Sequence, residues 1–250
     1  MKILTNKYFE KYKNSLENFL DILDKLKISQ KDLDFDYLTQ SSSVFSSNIE
    51  WNSLDINSFM NFKMNNNITK DVEEIENLII AYEFAQNNKL NEKNFLKTHE
   101  ILSKTLLIKS KRGVYRDDKV WVFWKEWLIY LAIEAEYVDK KMKELFEDIE
   151  FLLNEDITKE EVFYYASLIH LKFVHLHPFS DWNGRGARLL EKWFISEKLG
   201  KDFWKLRSEE YYKDNRESYY KNINLWVNYY ELHYNNCNNF LLMLFESLKK

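Results

Sequence analysis

Twelve consecutive residues, His177 to Arg188, read HPFSDWNGRGAR and gather most of the reactive chemistry in this chain. They hold the only proline and two of the four glycines, with a histidine, an aspartate, an asparagine and two arginines. A glycine-bearing loop that opens a helix is the form of an anion site. Helix N-termini present unpaired N–H groups and a positive dipole end, and glycine lets the backbone approach phosphate closely. Arg185 and Arg188 are three apart, so both lie on one helix face beside that terminus. Each can fork onto phosphate oxygens. Asp181 is a hard oxygen ligand suited to Mg2+ bridging phosphates. His177, with an ordinary pKa of about 6.5, can serve as a general base near neutrality. The set points to Mg2+-dependent chemistry on a nucleotide or phosphate ester. Each residue type alone is commonly structural; their conjunction in twelve positions argues for a site.

The rest of the chain must supply the elements that hold this loop. Average usage would give about 17 Gly and roughly 12 Pro in a chain of this length. Here there are 4 and 1 in 250 residues, with many Leu, Lys and Glu, which favours helices over a many-turned β fold. Val72, Ile75, Leu78, Ile79 and Tyr82 step at helical spacing, as do Met142, Leu145, Phe146, Ile149, Leu152 and Leu153. Phe163 to Leu176 is apolar nearly all round and predicts a helix buried in a bundle. Leu189, Leu190, Trp193 and Phe194 follow the loop as a short amphipathic stretch. Residues 219–248 read as one or two more helices. Arg112 to Val138 differs: Gly113, then Val114, Tyr115, Val120, Val122 and Phe123, predict a hairpin. Ser41 to Ser47 reads as a polar break and a helix entry. No internal repeat or linker stands out.

Composition excludes several classes. The chain is 45% hydrophobic and 30% charged, as expected for a protein with a core. Net charge is −4, with 36 basic against 40 acidic residues and no basic run, so nucleic acid is not an expected partner. The single cysteine, Cys237, rules out an intrachain disulfide and leaves little for a cysteine-built zinc site. The N-terminus has no signal-peptide pattern, and the longest apolar run, Phe240 to Phe245, is too short to span a bilayer. No membrane partner is expected, and the cytoplasm is the expected compartment.

The loop resembles the signature of the Fic (Fido-domain) family, H-P-F-x-[D/E]-G-N-[G/K]-R-x-x-R, at every specified position but one: Trp182 stands where that signature has glycine. Thr98-His99, followed by Gly113-Val114-Tyr115-Arg116, resembles the segment that enters the family's flap hairpin. LLEKWFISEKLG and YYKNINLWVNYYEL are similar to stretches of bacterial members. The likeness covers about residues 40–250 and is tightest over 95–195. It implies an all-α fold, a Fic-type helical bundle with a small β-hairpin flap. The implied organisation is an N-terminal helical region (1–95), a catalytic core (96–200, with the flap about 113–138 and the signature loop 177–188) and C-terminal helices (201–250). It implies an adenylyltransferase that moves AMP from ATP to a Ser, Thr or Tyr hydroxyl of a target protein docked on the flap. His177 would be the base, Phe179 would hold the loop and Asp181 would bind Mg2+. The implied nucleotide-binding set is Trp182, Asn183, Gly184, Arg185, Gly186, Ala187 and Arg188, with Tyr220 meeting the adenine. Fic proteins often dimerise, so a homodimer is among the implied assemblies.

Ser46 to Asn52 is similar to the inhibitory motif S-x-x-x-E-[G/N] of some Fic proteins. That likeness places an inhibitory helix around 46–52 and implies that Glu50 pairs with Arg188 and blocks a productive γ-phosphate pose, with Ser46 in the same regulatory motif. Six tryptophans, Trp51, Trp121, Trp124, Trp127, Trp182 and Trp226, fall where related segments carry glycine. A glycine GGA codon becomes UGA by one change, and UGA decoded as tryptophan instead of glycine would give this pattern.

Two further readings keep the fold: removal of AMP or transfer of another phosphate-containing group, and a non-catalytic nucleotide- or protein-binding module. His170, His175 and His177 fit a buried helix and its end better than a zinc triad. His99 and His233 read as structural. Asp117-Asp118 and Glu209-Glu210 read as solvated surface.

Overall fold

The computed structural model describes residues 1–29, 34–124 and 127–250; the side chains of 27–29, 123–124 and 127–129 lie outside the description, so Trp124 and Trp127 enter by backbone alone. The first helices are α1 (Phe9–Lys13), α2 (Phe19–Ser29), α3 (Phe35–Ile49), α4 (Ile56–Met64), α5 (Lys70–Gln86) and α6 (Glu92–Leu102). They precede a two-stranded antiparallel hairpin, β1 (Trp121–Trp124) and β2 (Trp127–Leu131). Six helices follow: α7 (Ala135–Asn154), α8 (Lys159–Leu176), α9 (Asn183–Leu199), α10 (Ser208–Asp214), α11 (Arg216–Ile223) and α12 (Asn238–Ser247). The fold is an all-α bundle with one small hairpin.

α8 is the axis of the bundle. Thr158 and Glu161 form a capping box at its start, each side chain accepting the other's backbone N–H. Phe163, Leu168, Ile169 and Phe173 are fully buried, each contributing roughly 1.5–3 kcal/mol of burial. The helix stops at His177, which turns to φ 48°, and Pro178 cannot continue it. α9 then packs along α8, with Leu189, Leu190, Trp193 and Phe194 all buried. The signature loop is the link between these two helices, so both of its ends are anchored in the core.

Three expectations change. Ser41 to Ser47 is no helix entry: it lies inside α3, which starts at Phe35 with Asp34 as N-cap. All five of these serines, Ser41, Ser42, Ser43, Ser46 and Ser47, are buried. Ser41 and Ser43 donate to carbonyls one turn back, while Ser42 and Ser46 accept from Lys192 and Arg188 of α9. Small side chains let α3 lie close, and their hydroxyls satisfy two buried cations. The hairpin is also shorter than 113–138. Its strands span 121–131, a bulge falls between Val122 and Phe123, and α7 begins at Ala135. Its inner edge is covered: the Leu131 N–H donates to Val227 O at 2.7 Å. That contact accompanies the break in α-helix over 224–237. The segment leaves α11 to pair with the flap and returns through two 3-10 turns to α12.

Glu209 is the third. It is fully buried, accepting from Lys192 Nζ at 2.5 Å and the Tyr82 hydroxyl at 2.7 Å. Among the described residues no helix is long and apolar enough to cross a membrane. A small second cluster, Val44, Phe59, Val72, Ile75 and Ile79, ties α3 and α4 to α5.

Lys192 and Glu209 are both without exposed side-chain surface. Lys192→Met is expected to lower unfolding free energy by about 3–5 kcal/mol, because it strands a buried carboxylate. The Lys192→Met/Glu209→Leu pair should recover most of that loss in urea unfolding.

Candidate functional site

The loop is held from below before any substrate arrives. Phe179 is fully buried and stacks on the His99 ring, centroids 3.6 Å apart and planes 8° off parallel. Asn183, the first residue of α9, bonds both backbone groups of Phe179: it accepts the N–H at 2.9 Å and donates to the carbonyl at 2.8 Å. Its side chain thus closes the loop, leaving the backbone of the helix start to face an anion. His99 Nδ1 accepts from the Gly113 N–H at 2.9 Å. The ring proton is therefore on Nε2, which lies 3.2 Å from the Asp181 carbonyl. Burial lowers the His99 pKa to about 4, which keeps this neutral tautomer. Arg116 completes the frame. Its guanidinium donates to the carbonyls of His177 (2.7 Å), Asp118 (2.6 Å) and Ile133 (2.5 Å), and its N–H donates to Pro178 O. The root of the flap and the loop are one hydrogen-bonded unit.

The reactive side chains sit on that frame. His177 is half-buried, with Nδ1 3.4 Å from the Val174 carbonyl. A carbonyl only accepts, so Nδ1 carries the proton and Nε2 keeps its lone pair. Burial lowers the His177 pKa to about 4. The Asp181 carboxylate is half-exposed, and Oδ1 accepts the Trp182 N–H at 2.6 Å. It is a fit for Mg2+ shared with phosphates: one hard carboxylate open to solvent, with no cluster of three acidic, histidine or cysteine ligands among the described residues. The histidines of α8 do not converge on a metal: His170 bonds Glu191 and Tyr219, and His175 bonds Tyr234 and the Ile223 carbonyl.

Both arginines are already occupied. Arg188, fully buried, donates to Glu50 Oε1 at 2.9 Å, to the Ser46 carbonyl and hydroxyl at 2.9 Å each, and to the Tyr219 hydroxyl at 3.0 Å. Burial opposes the charge on Glu50, but Arg188 and then Arg185 overcome it and hold its pKa below the usual range. The same carboxylate lies against Gly184, where an added Cβ would collide with Oε1. It therefore sits at the start of α9, whose N-terminus no side chain caps. Arg185 pairs with Glu74 of α5 and stacks over the Trp182 ring at 3.5 Å. Tyr220 donates to the Ile49 carbonyl at 3.0 Å and lies 3.3 Å from Glu50 Oε2. Gly186 and Ala187 face inward instead, Gly186 towards Phe95 and Phe173.

Residues 89–195 match the Fic/DOC family model. The chain carries a Fic domain. Its fold is similar to a Fic family protein from Desulfovibrio desulfuricans G20, with TM-score 0.76 and 19% identity over 99% of this chain and 74% of that one. A Fic domain containing signaling protein from Bacteroides thetaiotaomicron VPI-5482 gives 0.71 and 19% over 93% and 95%. Fic-1 from C. elegans gives 0.64 and 17% over 92% and 68%. No curated protein matches the chain. Fic-domain proteins transfer phosphate-containing groups such as AMP onto proteins.

The side chains that accept hydrogen bonds from the two arginines, Ser46, Glu50, Glu74 and Tyr219, all lie outside the matched segment, while Asp181 and Trp182, inside it, also contact Arg185. The Fic domain supplies cations, and flanking helices supply their hydrogen-bond acceptors. Sequence reasoning missed Glu74, Arg116 and Tyr219 as parts of the site; His99 reads as structural there, and it serves as support beneath Phe179. Glu74 and Tyr219 carry no local signal, being an ordinary helix glutamate and one of sixteen tyrosines. His99 and Arg116 stand in the segments that resemble the family, and that was the available signal.

Two of the suspect tryptophans sit in left-handed backbone, Trp182 at φ 69° and Trp51 at φ 73°. Trp182 is buried, and its indole N–H has no hydrogen-bond partner among the described residues. Trp51 follows the last turn of α3 in a Schellman cap: its N–H donates to Asn48 O, and the Asn52 N–H to Ser47 O. That position favours glycine for want of a Cβ. Trp51, Trp121 and Trp226 are exposed. Trp51→Gly is expected to be more stable than Trp51→Ala by about 1 kcal/mol in chemical denaturation, since both remove the ring and only glycine relaxes the left-handed turn.

Proposed function

We propose that this chain transfers AMP from ATP to a hydroxyl side chain of a target protein and that Glu50 holds it inactive. The observation that carries the reading is the Glu50 carboxylate, lodged at the start of α9 against Gly184 and paired with Arg188. The protein's own anion takes the place suited to a phosphate. When Glu50 withdraws, Arg188 is left as a buried cation with an open edge, and a polyphosphate is its natural replacement.

The reaction follows from the frame. The target hydroxyl gives its proton to His177 Nε2 while its oxygen bonds to the α-phosphorus. The bond from that phosphorus to the α,β-bridging oxygen breaks, and pyrophosphate leaves. Asp181 would hold Mg2+, which neutralises charge on the phosphates. The backbone at 183–185 and Arg185 would stabilise the charge that develops during the transfer, as in other phosphoryl chemistry. Glu74 holds Arg185 from the α5 side, with Trp182 beneath it. The outer edge of the flap hairpin would take a target segment as an added strand. A homodimer stays part of the proposal.

A second reading is a module that binds nucleotide or protein without catalysis. The buried Trp182 beneath Arg185 favours it, because bulk there narrows the cradle. The left-handed backbone at Trp51 and Trp182 supports instead the idea that glycine belongs at those two of the six tryptophan positions.

The test is incubation with α-labelled ATP, Mg2+ and cell lysate. Glu50→Gly, with glycine at the six positions, should label protein, while the parent labels weakly and added His177→Ala labels nothing. ATP binding without label in Glu50→Gly would overturn AMP transfer and leave the binding module. A second expectation concerns pH. Burial lowers the His177 pKa from 6.5 to about 4, so the base stays neutral through weakly acidic pH. In the Glu50→Gly chain, kcat/KM should stay level through pH 6.5 and fall only towards pH 4, measured by initial rates of labelling.

A further inference from the structure

Behind Arg188 runs a buried hydrogen-bond chain that no step of the proposed reaction uses. Arg188 Nη1 lies 3.0 Å from the Tyr219 hydroxyl, which lies 2.9 Å from His170 Nε2. His170 Nδ1 lies 2.8 Å from Glu191 Oε2, and Tyr212 donates to the same carboxylate at 2.9 and 3.1 Å. Tyr219, Tyr212 and His170 are at most 1% exposed, and Glu191 is fully buried.

With a neutral His170 the chain of donors and acceptors has one consistent direction. A guanidinium only donates, so the Tyr219 oxygen accepts from Arg188. The Tyr219 proton must then point to His170 Nε2, which accepts it. His170 therefore carries its proton on Nδ1 and donates to Glu191. The carboxylate at the far end makes His170 a better acceptor, His170 polarises Tyr219, and Tyr219 becomes a better acceptor for the arginine. The remaining Arg188 partners, Ser46 and Glu50, both belong to or end α3. Ser46 is neutral. Once Glu50 leaves, Glu191 is the one carboxylate this hydrogen-bond chain links to Arg188.

We propose that Tyr219, backed by His170 and Glu191, is the positioning residue for Arg188: it fixes the inner edge of the guanidinium so that the outer edge faces either Glu50 or a terminal phosphate. The proposal rests on the nucleotide-binding reading of this site. It adds that the arginine is held in one pose in both states. α8, α9 and α11 supply the support, and α3 supplies the exchangeable partner.

Tyr219→Phe removes the hydroxyl and keeps the ring, and it is read in the parent and in Glu50→Gly. In Glu50→Gly, the affinity for Mg-ATP should fall by about tenfold, the loss of one charge-assisted bond. Affinity for Mg-ADP, which lacks the terminal phosphate, should stay within about twofold. Thermal midpoints provide a readout that needs no nucleotide. Tyr219→Phe should lower the midpoint more in Glu50→Gly than in the parent, because the two groups share one cation. Equal loss of ATP and ADP affinity, or additive midpoint shifts, would overturn the proposal. If Glu50→Gly binds neither nucleotide, the functional reading fails, and the midpoint coupling alone decides the positioning claim. Should Tyr219→Phe not fold, Glu191→Gln keeps the side-chain shape, removes the charge and is read in the same way.

Discussion

A guanidinium with no exposed surface is the constraint around which this structure is organised. Arg188 cannot be buried unpaired, since desolvation of a lone charge would cost more than most of the fold's net stability. Its partners come from three places far apart in the chain. α3 brings Ser46 and Glu50, α11 brings Tyr219, and α8 stands behind with His170. Ser46 and Glu50 at the end of α3 and Tyr219 on α11 all meet that one charge. Lys192, one turn further along α9, repeats the pattern with Ser42 and Glu209.

The signature loop shows the complementary solution for backbone. Two of its residues, His177 and Trp182, are left-handed, a conformation that costs most residues of order 1 kcal/mol. The surroundings over-determine it. Asn183 closes the loop on Phe179, His99 stacks beneath it, and Arg116 ties it to the flap. This rigidity separates duties within the site. The loop and α9 are fixed, while the Glu50 side chain, about a quarter exposed, is the partner able to exchange.

What the sequence made legible tracks distance along the chain. HPFSDWNGRGAR could be read because its groups act where they stand, at one helix end. α8 could be read because an element buried on all sides is apolar on all sides. The Glu50–Arg188 pair, 138 residues apart, was reachable only through a family resemblance. The Glu74–Arg185 pair, 111 apart, had no such route, and Glu74 reads as any glutamate on a helix. Ser41 to Ser47 misled because serine disfavours helix interiors, and nothing local reveals that α9 cations await those hydroxyls. Glu209 misled for the same reason: a buried acid looks solvated until its lysine is found. The hairpin was overextended because β-forming residues continue past the point where Glu134 and Ala135 begin α7.

The central claim is that Glu50 stands where a phosphate would stand. Calorimetric titration with Mg-ATP and with AMP, for the parent and for Glu50→Ala, addresses it without requiring any reaction. The account predicts that removing the carboxylate strengthens ATP binding by about tenfold or more and leaves AMP, which lacks the outer phosphates, nearly unchanged. Equal ATP affinity in the two chains would contradict it and reduce the Glu50–Arg188 pair to a structural contact.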